Sequence, residues 1–176
     1  MERRWVIKEK GDEQIIQKLS KELDINEHLA NLLAQRGISN FEEARAFFRP
    51  EISQLHDPFL MKDMDVAVSR IETAIANNEN ILIYGDYDVD GTTAVSLVSS
   101  YLKTIYSNIA TYIPDRYAEG YGVSYKGIDF AHDNDCSLII ALDCGIKAIE
   151  KVAYATKKNI DFIICDHHKP GPEIPK

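Results

Sequence analysis

Three short apolar runs of this chain each end in a carboxylate. They read Ile81-Leu82-Ile83-Tyr84-Gly85-Asp86, Leu138-Ile139-Ile140-Ala141-Leu142-Asp143 and Phe162-Ile163-Ile164-Cys165-Asp166. If the runs are parallel strands, all three acids reach the sheet edge where loops converge and ligands bind. Negative charge gathered in one place repels itself unless cations neutralise it. One strand-end aspartate is more simply a cap for the following helix; three together, with the neighbours they have here, point to a cation site. The first cluster is the densest: Asp86-Tyr87-Asp88-Val89-Asp90-Gly91-Thr92-Thr93 sets carboxylates at alternate positions of a loop bounded by Gly85 and Gly91. Oxygen donors of this kind suit Mg²⁺ or Mn²⁺, and the glycines let the backbone turn closely around an ion. Thr92 or Thr93 is placed to cap the next helix, whose positive end would favour a phosphate. The third cluster, Asp166-His167-His168-Lys169-Pro170-Gly171, adds imidazole. Histidine is a good ligand for Mn²⁺ or Zn²⁺, and a neighbouring carboxylate can fix its tautomer. Two adjacent histidines after a strand are expected to point in different directions, so that one can ligate while the other faces a substrate.

Other chemistries share part of this spelling. D-x-D-x-D-G opens a calcium-binding helix–loop–helix, but the twelfth position, which should be glutamate, is Leu97, and a strand rather than a helix precedes the loop. Asp88-Val89-Asp90-Gly91-Thr92 also matches the opening of the haloacid-dehalogenase phosphatases, in which Asp88 would be a covalent nucleophile and Asp90 the acid/base. That reading has no use for a histidine pair behind a strand-end aspartate, and it stands as an alternative.

These residues need a scaffold to bring them together. From Asn80 onward, strand-like runs at Ile81–Tyr84, Ile109–Ile113, Ser137–Leu142 and Asp161–Cys165 alternate with helix-like segments at Thr93–Tyr106, Tyr125–Asn134 and Ile146–Lys158. Strands alternating with helices indicate an α/β fold, a parallel sheet flanked by helices. The amphipathic pattern of Met64, Ala67, Val68, Ile71, Ala74 and Ile75 marks a helix before the first strand. Residues 1–62 read as a small helical extension. Ile15, Ile16, Leu19 and Leu23 share one helical face, Gly37 stands where a helix ends, and Ser39 with Glu42 forms a capping box before Phe41–Phe48. The boundary is placed at residue 62, with residues 63–176 forming the α/β domain.

Composition bounds the reading. The 176 residues include 45% hydrophobic and 27% charged residues, an ordinary globular mixture. No apolar run approaches a membrane span, and the start lacks a secretory pattern. Three cysteines without paired spacing fit a reducing cytoplasm. The net charge of −8 argues against a free-standing nucleic-acid binder, unless bound metal neutralises part of it or a basic surface lies on another domain.

With Asp86-Tyr87-Asp88-Val89-Asp90-Gly91, Asp143 and Asp166-His167-His168 in this order, the chain resembles the DHH phosphoesterases. Further stretches liken it to that family's branch of 5′-to-3′, single-strand-specific DNA exonucleases. These are Leu33-Ala34-Gln35-Arg36-Gly37-Ile38, Ile113-Pro114-Asp115-Arg116-Tyr117-Ala118-Glu119-Gly120-Tyr121-Gly122 and Asp166 through Gly171. The resemblance implies two Mn²⁺ or Mg²⁺ ions held by Asp86, Asp88, Asp143 and His167, with a further family aspartate falling beyond Lys176. It implies catalytic roles for Asp88, Asp90 and His168, the last facing the scissile phosphate, and a supporting role for Asp166. The ions would activate a water and neutralise phosphate charge. Arg116 is a candidate for the DNA phosphates, and Tyr121, with Tyr117, for base stacking. Single-stranded DNA is the implied substrate, in recombination and repair, with a single-strand-binding protein and a helicase as partners. The resemblance also implies that the family's associated and nucleic-acid-binding domains are absent here, so that the chain is an N-terminal fragment, inactive alone. Cys144 departs from the asparagine that often follows the family's strand-end aspartate. Other family branches act on oligonucleotides, cyclic dinucleotides or pyrophosphate; Leu82 replaces the histidine usual in the pyrophosphatases. A non-catalytic relative that only binds DNA is a further alternative.

Overall fold

The computed structural model describes residues 4–176, in which the chain divides into two compact units, one ending at Leu60 and the other spanning Met61–Lys176. The first is helical: α1 (Glu13–Leu23), α2 (Glu27–Ala34) and α3 (Phe41–Phe48), followed by two short 3₁₀ turns. Each helix starts on a side chain that accepts from its first turn, namely Asp12, Asn26 and Asn40. Ile16, Leu19, Ala30, Leu33, Ile38 and Ala44 form the core. Gly37, at φ 83°, reverses the chain after α2 and lets Ile38 N–H reach the Leu33 carbonyl. The capping box expected from Ser39 and Glu42 is displaced by one residue. Asn40 accepts from Glu43 N–H, and the Glu43 carboxylate takes both the N–H and the hydroxyl of Ser39. Asparagine caps as well as serine does, and this frame satisfies more donors.

The second unit is an α/β sandwich. After α4 (Met64–Ala76) come β1 (Asn80–Gly85), α5 (Val89–Lys103), β2 (Ile109–Tyr112), α6 (Tyr125–Asp133), β3 (Cys136–Leu142), α7 (Ile149–Lys157) and β4 (Asp161–Cys165). The four strands are parallel in the order β2-β1-β3-β4. Alternate side chains feed two cores. Ile81, Ile83, Leu138, Ile140 and Leu142 meet Ala74 of α4 and Val95 and Leu102 of α5 on one face. Leu82, Tyr84, Ile139 and Ala141 meet Ile128 and Ala131 of α6 and Ala155 of α7 on the other. Strands buried on both faces explain the nearly unbroken apolar runs.

This order matters for the site. The chain runs outward from β1 to β2 and then returns past β1 to start β3, so connections diverge to either side between β1 and β3. At such a reversal a crevice opens beyond the carboxyl ends of the strands. Asp86 follows β1 and Asp143 follows β3.

At the opposite end of the strands, Arg70 of α4 clamps the sheet. Its guanidinium bonds Glu79 at 2.7 Å, just before β1, and Asp161 at 2.6 Å, at the start of β4. Ser137 donates to Glu79 as well. The Ser137 hydroxyl and the Arg70 charge hold the Glu79 carboxyl below its ordinary range. A depressed folded-state value stabilises the fold above the ordinary glutamate range, and that contribution is lost as pH falls through the depressed value. Acid titration of thermal stability should therefore show a loss below the ordinary glutamate range that is shallower in Glu79→Gln. Identical acid limbs in the two proteins would contradict this account.

Candidate metal centre

Asp86 is fully buried at the end of β1. One carboxylate oxygen accepts from Gly122 N–H at 3.2 Å, and the other, also buried, has no hydrogen-bond partner among the described residues. A buried acceptor left unsatisfied costs about 1–3 kcal/mol, and more when charged, so this oxygen needs a ligand. The backbone around it is tightly built. A Cβ on Gly91 would lie 2.4 Å from the Asp86 carbonyl oxygen and 2.6 Å from its nitrogen; one on Gly85 would meet Val95 at 2.4 Å. Only glycine lets the first turn of α5 sit directly on Asp86.

Asp88 is the cap of α5, accepting from Gly91 N–H at 3.0 Å. The sequence suggests Thr92 or Thr93 for that task and a helix starting at Thr93. Instead α5 begins four residues earlier, and the Thr92 hydroxyl donates back to the Asp88 carbonyl within the helix. A carboxylate is the stronger acceptor at a positive helix end. Asp90 lies exposed in the same first turn.

Asp143 has a left-handed backbone, φ 59°, a conformation that costs most residues energy and that aspartate tolerates better than most. Its N–H donates to the Cys165 carbonyl at 2.8 Å, tying the ends of β3 and β4, and its carboxylate meets His167 Nε2 at 3.1 Å. Asp143, His167 and His168 offer donor atoms that all lie within 4.8 Å of one another, the one such triad among the described residues. Asp86 and Asp88 lie outside that triad. The histidines lie closer together than expected: their ring centroids are 4.7 Å apart, with His167 on Asp143 and the nitrogens of His168 on Asp166 and the Tyr121 hydroxyl. Asp166 is the cause. One of its oxygens takes both the backbone N–H (3.0 Å) and Nδ1 (2.7 Å) of His168, folding that residue back, and the other takes Ile146 N–H at 2.9 Å.

The electrostatics show how closely the acids converge. Burial pushes the Cys144 thiol up to about 12, with further upward contributions from Asp86, Asp166, Asp143 and Asp88. The Tyr121 hydroxyl is raised by burial and by the same four carboxylates. The His168 ring is raised chiefly by its bond to Asp166, against some burial, and by the charges of Asp143 and Asp88. Burial opposes the charge of Asp166, yet the bonds from His168 and Ile146 outweigh it and hold its carboxyl low.

Arg116 lies with its guanidinium carbon 5.2 Å from the centre of the Tyr87 ring. Tyr87 meets Tyr121 edge-on, and Tyr121 meets His168 edge-on with its hydroxyl 3.1 Å from Nε2. Arg116, Tyr87, Tyr121 and His168 thus form a continuous row that ends at the acidic cluster. Tyr117 is 95% exposed and stands outside the row. Sequence reasoning missed Tyr87 as the link, although its place between two of the clustered aspartates was a signal. It also missed the Gly122 N–H on Asp86, which local sequence does not disclose.

The donors fit a hard divalent cation: a carboxylate grouped with imidazole at Asp143, His167 and His168, and a buried Asp86 oxygen with no partner among the described residues. Asp86, Asp88, Asp143 and His167 are the residues that could hold such ions. Gly91→Ala should overpack the seat of α5, costing about 1–3 kcal/mol of stability, and should weaken Mn²⁺ binding measured by calorimetry. Ser96→Ala, on an exposed position of α5, is the control. Unchanged Mn²⁺ affinity in Gly91→Ala would mean that the seat does not shape the site.

The chain is similar in sequence and fold to known proteins. The DHH family, N-terminal domain, matches residues 80–176. The single-stranded-DNA-specific exonuclease RecJ of Bacillus subtilis is 40% identical over 98% of this chain, and that of Escherichia coli is 30% identical over 84%. The chain spans 22% and 25% of the length of those two relatives. A crystal structure of exonuclease RecJ bound to manganese superposes on 66% of this chain, and 30% of its own, with TM-score 0.61 and 28% identity. RecJ from Thermus thermophilus in complex with Mn²⁺ covers 92% of this chain, and 22% of its own, with TM-score 0.66; at 21% identity it bears on the fold alone.

Proposed function

This chain belongs to the DHH family, and from that premise we propose that it carries the metal-binding part of a 5′-to-3′ exonuclease hydrolysing phosphodiester bonds of single-stranded DNA in recombination and repair. Because the chain spans under a third of each of these relatives, the activity is proposed for the whole protein. Residues 63–176 are the DHH-type domain in this reading, and residues 1–62 a helical extension. The observation that carries it is the buried oxygen of Asp86, without a partner among the described residues, at the reversal of a parallel sheet where β1 and β3 end in register and Asp143 groups with His167 and His168.

Asp86, Asp88, Asp143 and His167 would hold two Mn²⁺ or Mg²⁺ ions. Such ions supply a water nucleophilic at neutral pH and charge neutralisation at the phosphate. The chain's own residues do the rest. Asp166 fixes the His168 ring through Nδ1, which sets its Nε2 beside the Tyr121 hydroxyl as the nitrogen available to a phosphate oxygen. Asp90, on the exposed first turn of α5, stands beside the site as a further acid. Arg116, held over Tyr87, offers its charge to the strand's phosphates, and the exposed ring of Tyr121 offers a surface for the terminal base. Local cationic groups and bound metal offset the chain's net acidity where the strand enters. Three free cysteines are consistent with a cytoplasmic setting, and no described helix is long and apolar enough to cross a membrane. A single-strand-binding protein and a helicase are the partners this reading proposes.

The test is Mn²⁺-dependent nucleotide release by the whole protein from 5′-phosphorylated single strands, with duplexes alongside. Processive loss from the 5′ end, reduced by at least ~10²-fold in Asp88→Ala, is the expected result. Turnover of small phosphoesters without DNA hydrolysis would move the chain to another DHH branch, and metal-independent DNA binding without cleavage would make it a non-catalytic relative.

A further inference from the structure

Arg116 and Tyr121 of that row lie on a long connection between β2 and α6, residues 113–124, and such a connection needs something to fix its shape. Two tyrosines reach up from the sheet. Tyr84 and Tyr112 are register partners at the ends of β1 and β2, with rings stacked at 5.5 Å. The Tyr84 hydroxyl donates to the Gly122 carbonyl at 2.9 Å and accepts from Ser124 N–H at 3.1 Å, which holds the far end of the connection. The Tyr112 hydroxyl goes to one side chain, Glu119.

Glu119 is the hub of the connection. Its carboxylate accepts from the Tyr112 hydroxyl (2.9 and 3.1 Å), from the Asp115 N–H (2.9 Å) and from the Ser124 hydroxyl (2.6 Å). It therefore ties the start of the turn, the end of the turn and the sheet beneath to one group. Asp115 completes the turn by accepting from Tyr117 and Ala118 N–H, and its carbonyl takes Glu119 N–H. Arg116 lies inside the closed ring of bonds and Tyr121 just beyond it. Burial works against the charge of Glu119, but its donors outweigh burial and keep its carboxyl low, so it stays an acceptor at neutral pH.

We infer that Glu119 is a positioning residue for the substrate strand: it touches neither metal site nor phosphate, and it sets the turn that presents Arg116 and Tyr121. The inference rests on the strand-binding role proposed for those two side chains. Truncating Glu119 frees the turn around Arg116, while Gly122, whose N–H supports Asp86, is still held by the Tyr84 hydroxyl, and Asp88, Asp143 and His167 keep their own supports; strand affinity should suffer and chemistry on the bound strand should not. Tyr112→Phe removes a hydroxyl whose bonds are to Glu119 and keeps the stacked ring; it should act in the same direction and more weakly. Glu119→Gln should retain most of the function, because the hydroxyls of Tyr112 and Ser124 can turn to donate or accept.

The experiment measures KM and kcat of the whole protein on a 5′-phosphorylated single strand, together with Mn²⁺ affinity. The expected result is a KM raised roughly tenfold in Glu119→Ala, with kcat and Mn²⁺ affinity held, a smaller rise in Tyr112→Phe, and near-normal KM in Glu119→Gln. Arg116→Ala separates the two layers. If it leaves KM unchanged, the strand-binding reading fails and this inference with it. If Arg116→Ala raises KM but Glu119→Ala and Tyr112→Phe do not, the inference alone is overturned. Loss of kcat and Mn²⁺ affinity together in Glu119→Ala and Tyr112→Phe would also overturn it, since the hub would then be supporting the fold at large. Should Glu119→Ala fail to fold, Tyr112→Phe carries the same decision.

Discussion

A carboxylate oxygen of Asp86 is buried where none of the described residues hydrogen-bonds to it, and much of the surrounding structure follows from keeping it there. The acid is delivered by β1, a central strand that is apolar on both faces and packed into both cores. Two glycines bring the first turn of α5 against its backbone, and a peptide N–H from the Gly120–Gly122 turn occupies its other oxygen. Each element is unfavourable by itself: glycines in or beside regular structure, a left-handed aspartate at Asp143, four carboxylates facing one crevice. Together they concentrate negative charge at one edge of the sheet.

The parallel sheet turns this local demand into a place. With β1 central and the chain crossing back to β3, Asp86 and Asp143 stand on either side of the crevice, and Asp166 arrives from the neighbouring strand. The acids differ in their tasks. Asp86 is buried and incompletely bonded. Asp88 is partly committed to the α5 cap, and Asp166 is committed fully to His168 and Ile146. Fully bonded acids brace their neighbours, while an unsatisfied one demands a cation. That distinction separates groups the sequence alone shows only as a list of aspartates.

Much of this was legible in the sequence. The strand-end acids, the parallel α/β order and the role of Gly91 follow from apolar runs and their punctuation, because strand burial on both faces imposes that pattern locally. Where several side chains compete for one local task, the sequence pattern misleads. Asp88 rather than a threonine caps α5, Asn40 rather than Ser39 caps α3, and Asp166 holds the His168 ring beside that of His167. Contacts distant in sequence were not legible at all. Gly122 meets Asp86 across 36 positions and Tyr121 meets His168 across 47, and neither partner carries a sign of the other.

The central claim is that the partnerless Asp86 oxygen exists to bind a divalent cation. Its most direct test is anomalous diffraction at the manganese edge from crystals of the protein equilibrated with Mn²⁺. The account predicts a peak at coordination distance, about 2.0–2.6 Å, from that Asp86 oxygen, with Asp143 or His167 among its other ligands. A peak confined to exposed acids elsewhere, with the Asp86 oxygen bonded to a water or shifted onto another donor, would contradict it.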